Sequence, residues 1–148
     1  MTKVLLGCVL LLLGFAGVSA QTASAYKITN IRVVPYEQSS GTFEAELAPN
    51  ADPGYLNELS KSLFVAVEIS GKAGSFAADR KVSITVTEGK RPKASRTEAV
   101  GLIGDAGKYY IPILLTSPMC GPVVITARLT GQKTVSVKTR KLQFDCGE

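Results

Sequence analysis

The chain has 148 residues, with 17 Lys and Arg against 12 Asp and Glu, three Cys, and neither His nor Trp. Without His there is no His-Asp-Ser relay, no imidazole ligand for zinc or copper, and no side chain that titrates near neutrality unless its pKa is perturbed. The length suits one domain, large enough to bury roughly two-thirds of the surface its unfolded chain would expose.

The chain opens with Lys3 and an apolar run from Val4 to Val18, then small residues at Val18-Ser19-Ala20. This is the pattern of a secretory signal peptide over residues 1–20, which places the mature protein in the periplasm or outside the cell. Ala23-Ser24-Ala25 offers a second small-x-small site, so the mature chain begins at Gln21 or at Tyr26. The 15-residue run is interrupted by Gly7, Gly14 and Gly17 and is short for a bilayer core of ~30 Å, so no transmembrane segment is expected in the mature chain. Leu5-Leu6-Gly7-Cys8 has the form of a lipobox, but it lies too close to Lys3 to leave room for an apolar region before the Cys.

Beyond the leader, apolar residues alternate with a period of two: Ile31 and Val33; Phe43, Ala45 and Leu47; Leu63, Val65, Val67 and Ile69; Val82, Ile84 and Val86; Tyr109, Ile111, Ile113 and Leu115. With a final pair after Pro122, this predicts about seven strands separated by Gly, Pro, Asn and Ser turns. The expected class is all-β, an antiparallel sandwich formed by one domain over residues 26–148. One segment departs from the alternation. Asp52-Pro53 supplies an N-cap and a first-turn proline, and Leu56, Leu59 and Leu63 follow at helical spacing, so a short helical turn is expected.

Charge is segregated. Glu37, Glu44, Glu46, Asp52 and Glu58 lie in a stretch without Lys or Arg, whereas Lys90, Arg91, Lys93 and Arg96 crowd what reads as one Pro-stiffened basic loop. Such a loop suits an anionic glycan, a lipid headgroup or an acidic protein surface. Tyr109 and Tyr110 point to opposite faces of their strand, and Tyr110 with Pro112 and Leu114 forms a candidate outward apolar patch.

Asp105-Ala106-Gly107-Lys108-Tyr109 has the D-x-G-x-Y spacing of a tyrosine corner, and Cys120-Gly121-Pro122-Val123-Val124-Ile125-Thr126-Ala127 resembles the Gly-x-x-x-Ile-Thr-Ala segment that opens a late strand in bacterial modules. On these motifs the stretch from Val82 to Phe144 resembles a bacterial immunoglobulin-like β-sandwich domain. The resemblance implies that Asp105, Gly107 and Tyr109 form a structural corner in which the Tyr109 hydroxyl bonds to backbone. Ile111 stands where antibody-type domains carry their second inter-sheet Cys, so the likeness is to the broad class, whose members range from adhesins to carbohydrate-associated modules.

Removal of the leader leaves Cys120 and Cys146, an even pair in an oxidising compartment, and a disulfide is expected. It closes a loop of 27 residues and is worth ~3 to 4 kcal/mol on chain-entropy grounds. A hairpin turning at Gly131-Gln132 puts Cys120 opposite residue 143, about three short of Cys146. A β-bulge between Thr139 and Lys141, together with a looser turn, is the expected remedy, because the apolar phase switches between Val137 and Leu142.

No catalytic constellation is visible. There is no Gly-x-Ser-x-Gly, and neighbouring Glu44 and Glu46 on one strand face do not span a substrate cleft as a glycosidase pair must. Those two residues with Asn50 and Asp52 match no established calcium loop, so neither a metal nor a cofactor is expected. Nucleic acid is a poor partner, given the export signal and the lack of aromatics among the basic residues. The expected function is a non-catalytic binding or structural module of the bacterial envelope, its partner an envelope protein or an anionic glycan or lipid. The alternative is a small periplasmic inhibitor or accessory factor of an envelope enzyme.

Overall fold

A computed structural model describes residues 25–49, 55–56, 61–116 and 119–145. The leader, both cleavage sites up to Ser24, and Asn50, Asp52, Pro53, Leu59 and Cys146 lie outside the described residues. Among the described residues there are nine strands and no helix: β1 (Lys27–Glu37), β2 (Thr42–Phe43), β3 (Tyr55–Leu56), β4 (Lys61–Ser70), β5 (Lys81–Glu88), β6 (Arg91–Ala99), β7 (Lys108–Leu115), β8 (Pro122–Thr130) and β9 (Ser136–Asp145). They form two sheets, β2-β1-β4-β7 and β3-β9-β8-β5-β6. Every pairing is antiparallel except the short β3–β9 contact, which is parallel.

The alternation works as the sequence predicts. Leu63, Val65, Val67 and Ile69 of β4, Val82, Ile84 and Val86 of β5, and Val123, Ile125, Ala127 and Leu129 of β8 are all buried in one core shared by the two sheets. Each of the Val, Leu and Ile side chains contributes roughly 1.5 to 3 kcal/mol on leaving water, which makes a slip of one residue in any of these strands prohibitive. The result is a two-layer all-β domain of sandwich type.

The open sides between the sheets are closed by polar side chains rather than by backbone pairing. On its edge away from β4, β1 pairs with β2 at Tyr36 and Glu37 and accepts the Glu44 and Leu47 N–H groups at its Pro35 and Val33 carbonyls, while its start is bonded by side chains from the β8–β9 turn and β9. Gln132 accepts from the Tyr26 N–H at 3.0 Å and donates to the Tyr26 carbonyl at 2.8 Å; Ser136 Oγ accepts from the Ile28 N–H at 3.1 Å. Lys138 Nζ donates to the Thr29 carbonyl at 2.6 Å and Arg140 Nη1 to that of Ile31 at 2.7 Å. Arg140 Nη2 reaches the carbonyls of Leu47 and Ala48. On the opposite side Arg96 of β6 donates to the Pro112 carbonyl of β7 at 2.7 Å. Inward-facing cations of this kind block edge-to-edge pairing.

Four expectations need correction. Leu56 and Leu63 do not share a helical face: Leu56 pairs with Asp145 in β3, and Leu63 faces the core from β4. The β8–β9 register runs unbroken from Pro122↔Gln143 to Leu129↔Ser136, with no bulge at Thr139 to Lys141. The phase switch arises because Ser136, Lys138 and Arg140 hold the inward positions ahead of Leu142 and Phe144, leaving Val135 and Val137 exposed. The looser turn is present, and continuing the register puts Cys120 opposite Asp145, next to Cys146. Phe43, Ala45 and Leu47 do not make a strand face, since only Thr42 and Phe43 pair and Phe43 points outward. The stretch from Lys90 to Arg96 is not a loop: Gly89, at φ 55°, and Lys90 form a two-residue turn, and Arg91 begins β6. Its polar sequence carries little strand signal because β6 is an edge, paired only with β5.

Candidate functional site

The strand order β2-β1-β4-β7 brings outward residues from distant parts of the chain into rows across one sheet face. Val34, Phe64 and Leu114 form one row, Arg32, Ala66 and Pro112 the next, and Asn30, Glu68 and Tyr110 the third. Beyond the first row, Phe43 lies opposite Tyr36. Phe43 is 61% exposed, Leu114 53% and Tyr110 41%, which is unusual for large apolar side chains on one face. Arg32, Val34, Phe43, Phe64 and Ala66 line a shallow hollow of about 260 Å³. The Phe43 ring is 4.9 Å from Tyr36, tilted by 51°, and 5.9 Å from Phe64 in an edge-on arrangement at 75°.

Charges around this face are paired. Arg32 Nε lies 2.8 Å from Glu46 and Lys61 Nζ 2.9 Å from Glu44, so the two glutamates serve as separate ion-pair partners. Among the described residues no cluster of acids and cysteines suits a metal. Glu68 is nearly buried within the face: Oε1 accepts from the Thr29 hydroxyl at 2.7 Å, and Oε2 from Lys108 Nζ at 3.0 Å and the Tyr110 hydroxyl at 3.1 Å. The Thr29 bond, with those from Lys108 and Tyr110, lowers the Glu68 pKa against the opposing effect of desolvation. Ionised Glu68 thereby holds Tyr110 in place on the face.

Tyr110 and Leu114, predicted to point outward, are where the sequence puts them. Glu68, Phe43 and Phe64 were missed. An acid between Val67 and Ile69 in an apolar strand is the one available signal for Glu68.

A pH prediction follows from the Glu68 network. A lowered folded pKa gives stability that is complete above the ordinary carboxylate value and is lost as pH falls through the folded value. Glu68→Gln is expected to cost about 1 to 2 kcal/mol at pH ~7, and its deficit relative to the parent is expected to shrink toward pH ~3. Urea unfolding at the two pH values measures this; a pH-independent deficit would refute the assignment.

The predicted basic cluster is divided. Lys93 Nζ is 2.7 Å from Glu88, whose other oxygen accepts from the Cys120 N–H, and the Lys93 bond lowers the Glu88 pKa. Arg96 turns inward to Glu98 and the Pro112 carbonyl. Lys90, Arg91 and Lys93 together line an open depression of about 550 Å³ at the hairpin tip, which also includes Glu88 and Cys120. Arg96 is separated from the other three because it lies opposite the buried Ile84, on the inward side of β6.

At the corner, the Gly107 N–H donates to the Gly104 carbonyl at 2.8 Å, with Gly107 at φ 72°, so Asp105 and Ala106 sit in a tight turn. The Tyr109 ring is partly buried against the core, but its hydroxyl bonds to Glu98 Oε1 at 3.4 Å rather than to backbone. The reason is proximity: β6 and β7 face each other across the open side between the sheets, and Glu98 points inward from β6.

Among the described residues no helix is long and apolar enough to cross a membrane. No protein-family profile matches the chain, and no curated protein is significantly similar to it.

Proposed function

We propose that the chain is an exported, non-catalytic binding module of the bacterial envelope that recognises a protein partner through the outer face of β2-β1-β4-β7. The observation that carries this reading is the contrast between the two outer faces. The second sheet turns Ser83, Thr85, Ser95, Thr97, Thr126, Arg128 and Lys141 outward, with Val124 and the exposed Val137 as apolar members of a mainly polar surface that has no aromatic side chain among the described residues. The first turns out Phe43, Phe64, Pro112, Leu114 and Tyr110. A protein surface with protruding apolar side chains suits it best. The rings are tilted against one another, so they offer no flat platform for a sugar, and the paired rim charges give little purchase to an anionic glycan or lipid.

Two further features support the reading. The orders β1-β4-β7 and β9-β8-β5-β6 suit an immunoglobulin-like sandwich in which the fourth long strand stays with the second sheet. A Cys120–Cys146 bridge suits the register at the end of the last hairpin and an oxidising compartment.

The test is retention of cell-envelope proteins by the mature chain at low and at high salt. The expected partner stays bound at high salt, and Phe43→Asp with Leu114→Asp reduces its retention at least ~tenfold, while Lys90→Ala with Arg91→Ala changes it little. Retention indifferent to the first pair would overturn the proposal.

A further inference from the structure

We propose that the cleft between β1 and β9 is a second binding site, one that takes a small oxyanion, a carboxylate or phosphate group. The cleft has a volume of about 440 Å³, and its walls include Asn30, Lys138, Arg140 and Lys141. Six cations elsewhere in the fold, Arg32, Lys61, Arg80, Lys93, Arg96 and Lys108, each have a carboxylate partner. Three cations line this cleft, Lys138 and Arg140 from the inward positions of β9 and Lys141 at its outer rim, and among the described residues none of them forms an ion pair.

Arg140 makes the imbalance costly. Its residue is only 7% exposed, its Nε has no hydrogen-bond partner, and its Nη atoms meet neutral carbonyls. Desolvation lowers its pKa, and Glu46, which opposes that shift, is itself bonded to Arg32. A buried guanidinium without a counter-ion is unfavourable, and an anion at the cleft mouth would relieve it. Lys138 and Lys141 flank that mouth as charged donors. Asn30 adds a neutral one: its Oδ1 is occupied by the Ile31 N–H at 2.9 Å, which leaves the amide NH₂ to donate.

The experiment titrates the mature protein with inorganic phosphate and, separately, with sodium acetate, against sodium chloride at matched ionic strength. Backbone amides and the Arg140 Nε–H are followed by NMR. The expected result is a saturable shift confined to the cleft residues, with affinity reduced roughly tenfold in Lys138→Ala/Lys141→Ala. That double variant leaves Arg140 intact, and the rest of its spectrum reports that the fold is preserved. Saturation by phosphate alone identifies a phosphate-ester site, and saturation by acetate identifies a carboxylate site; either supports the proposal. Shifts that only track chloride, or saturable binding unchanged in the double variant, overturn it. The variants at Phe43 and Leu114 are expected to leave this titration unaltered, so the two sites are judged separately.

Discussion

Arg140→Ala is expected to destabilise the domain by about 3 to 4 kcal/mol, measured as a lower urea midpoint with little change in slope. Three carbonyls, those of Ile31, Leu47 and Ala48, lose a charged donor. The Ile31 carbonyl belongs to β1, and the other two belong to the chain after β2, so one side chain joins three stretches of backbone. The damage should be local as well as global. The Leu47 N–H, which bonds the Val33 carbonyl at 2.9 Å, is expected to lose hydrogen-exchange protection along with the rest of 44–48. Arg140→Lys keeps the charge without the planar fork and should recover only part of the loss. A cost within ~1 kcal/mol would mean that the carbonyls find water instead, and that β9 does not hold β1.

Arg140 also shows where the sequence could be read and where it could not. Four buried apolar residues at alternate positions in β4, and four more in β8, are unambiguous, because a period of two with one wet face has one structural solution. Arg140 and Lys138 have the opposite signature. They look like solvent-facing residues, and from them and the outward Val135 and Val137 the sequence suggests a bulge. A cation aimed at the backbone of the facing sheet is invisible until the sheets are stacked. The same limit applies to β6, whose residues Arg91 to Ala99 show little apolar periodicity. It applies also to the candidate face. Tyr110 and Leu114 are legible as outward within their own strand, but Phe43, Val34 and Phe64 join them only through the order β2-β1-β4-β7.

That closure bears on how the protein is expected to bind. A sandwich with open edges can add a partner's strand by backbone pairing. Here β7 carries Pro112, which has no N–H to offer, and its carbonyl is taken by Arg96; β1 is taken up by side chains of β9. Strand addition at the first sheet is thereby disfavoured, which supports the proposal that this sheet binds through its exposed apolar face.

Gly131→Ala is expected to be about as damaging, at roughly 3 kcal/mol or more, and Gly74→Ala supplies its control. Both glycines have positive φ, 81° and 70° respectively, so each substitution carries a conformational cost of ~1 to 2 kcal/mol. They differ in what a methyl group would meet. At Gly74 nothing lies within 4 Å, whereas at Gly131 the new Cβ would collide with the Asp79 carbonyl and the Arg80 backbone. That backbone cannot easily retreat. Arg80 Nη1 is tied to the Gly131 carbonyl and lies 2.7 Å from Asp79 Oδ2, and its guanidinium sits 5.9 Å from the centre of the buried Tyr26 ring. Separating the β8–β9 turn from the loop before β5 therefore also disturbs the start of β1. Thermal or urea unfolding of the two variants side by side measures the difference, which isolates the collision from the backbone term. Equal losses would show that this junction yields freely and that Arg80 does not fasten the turn to the core.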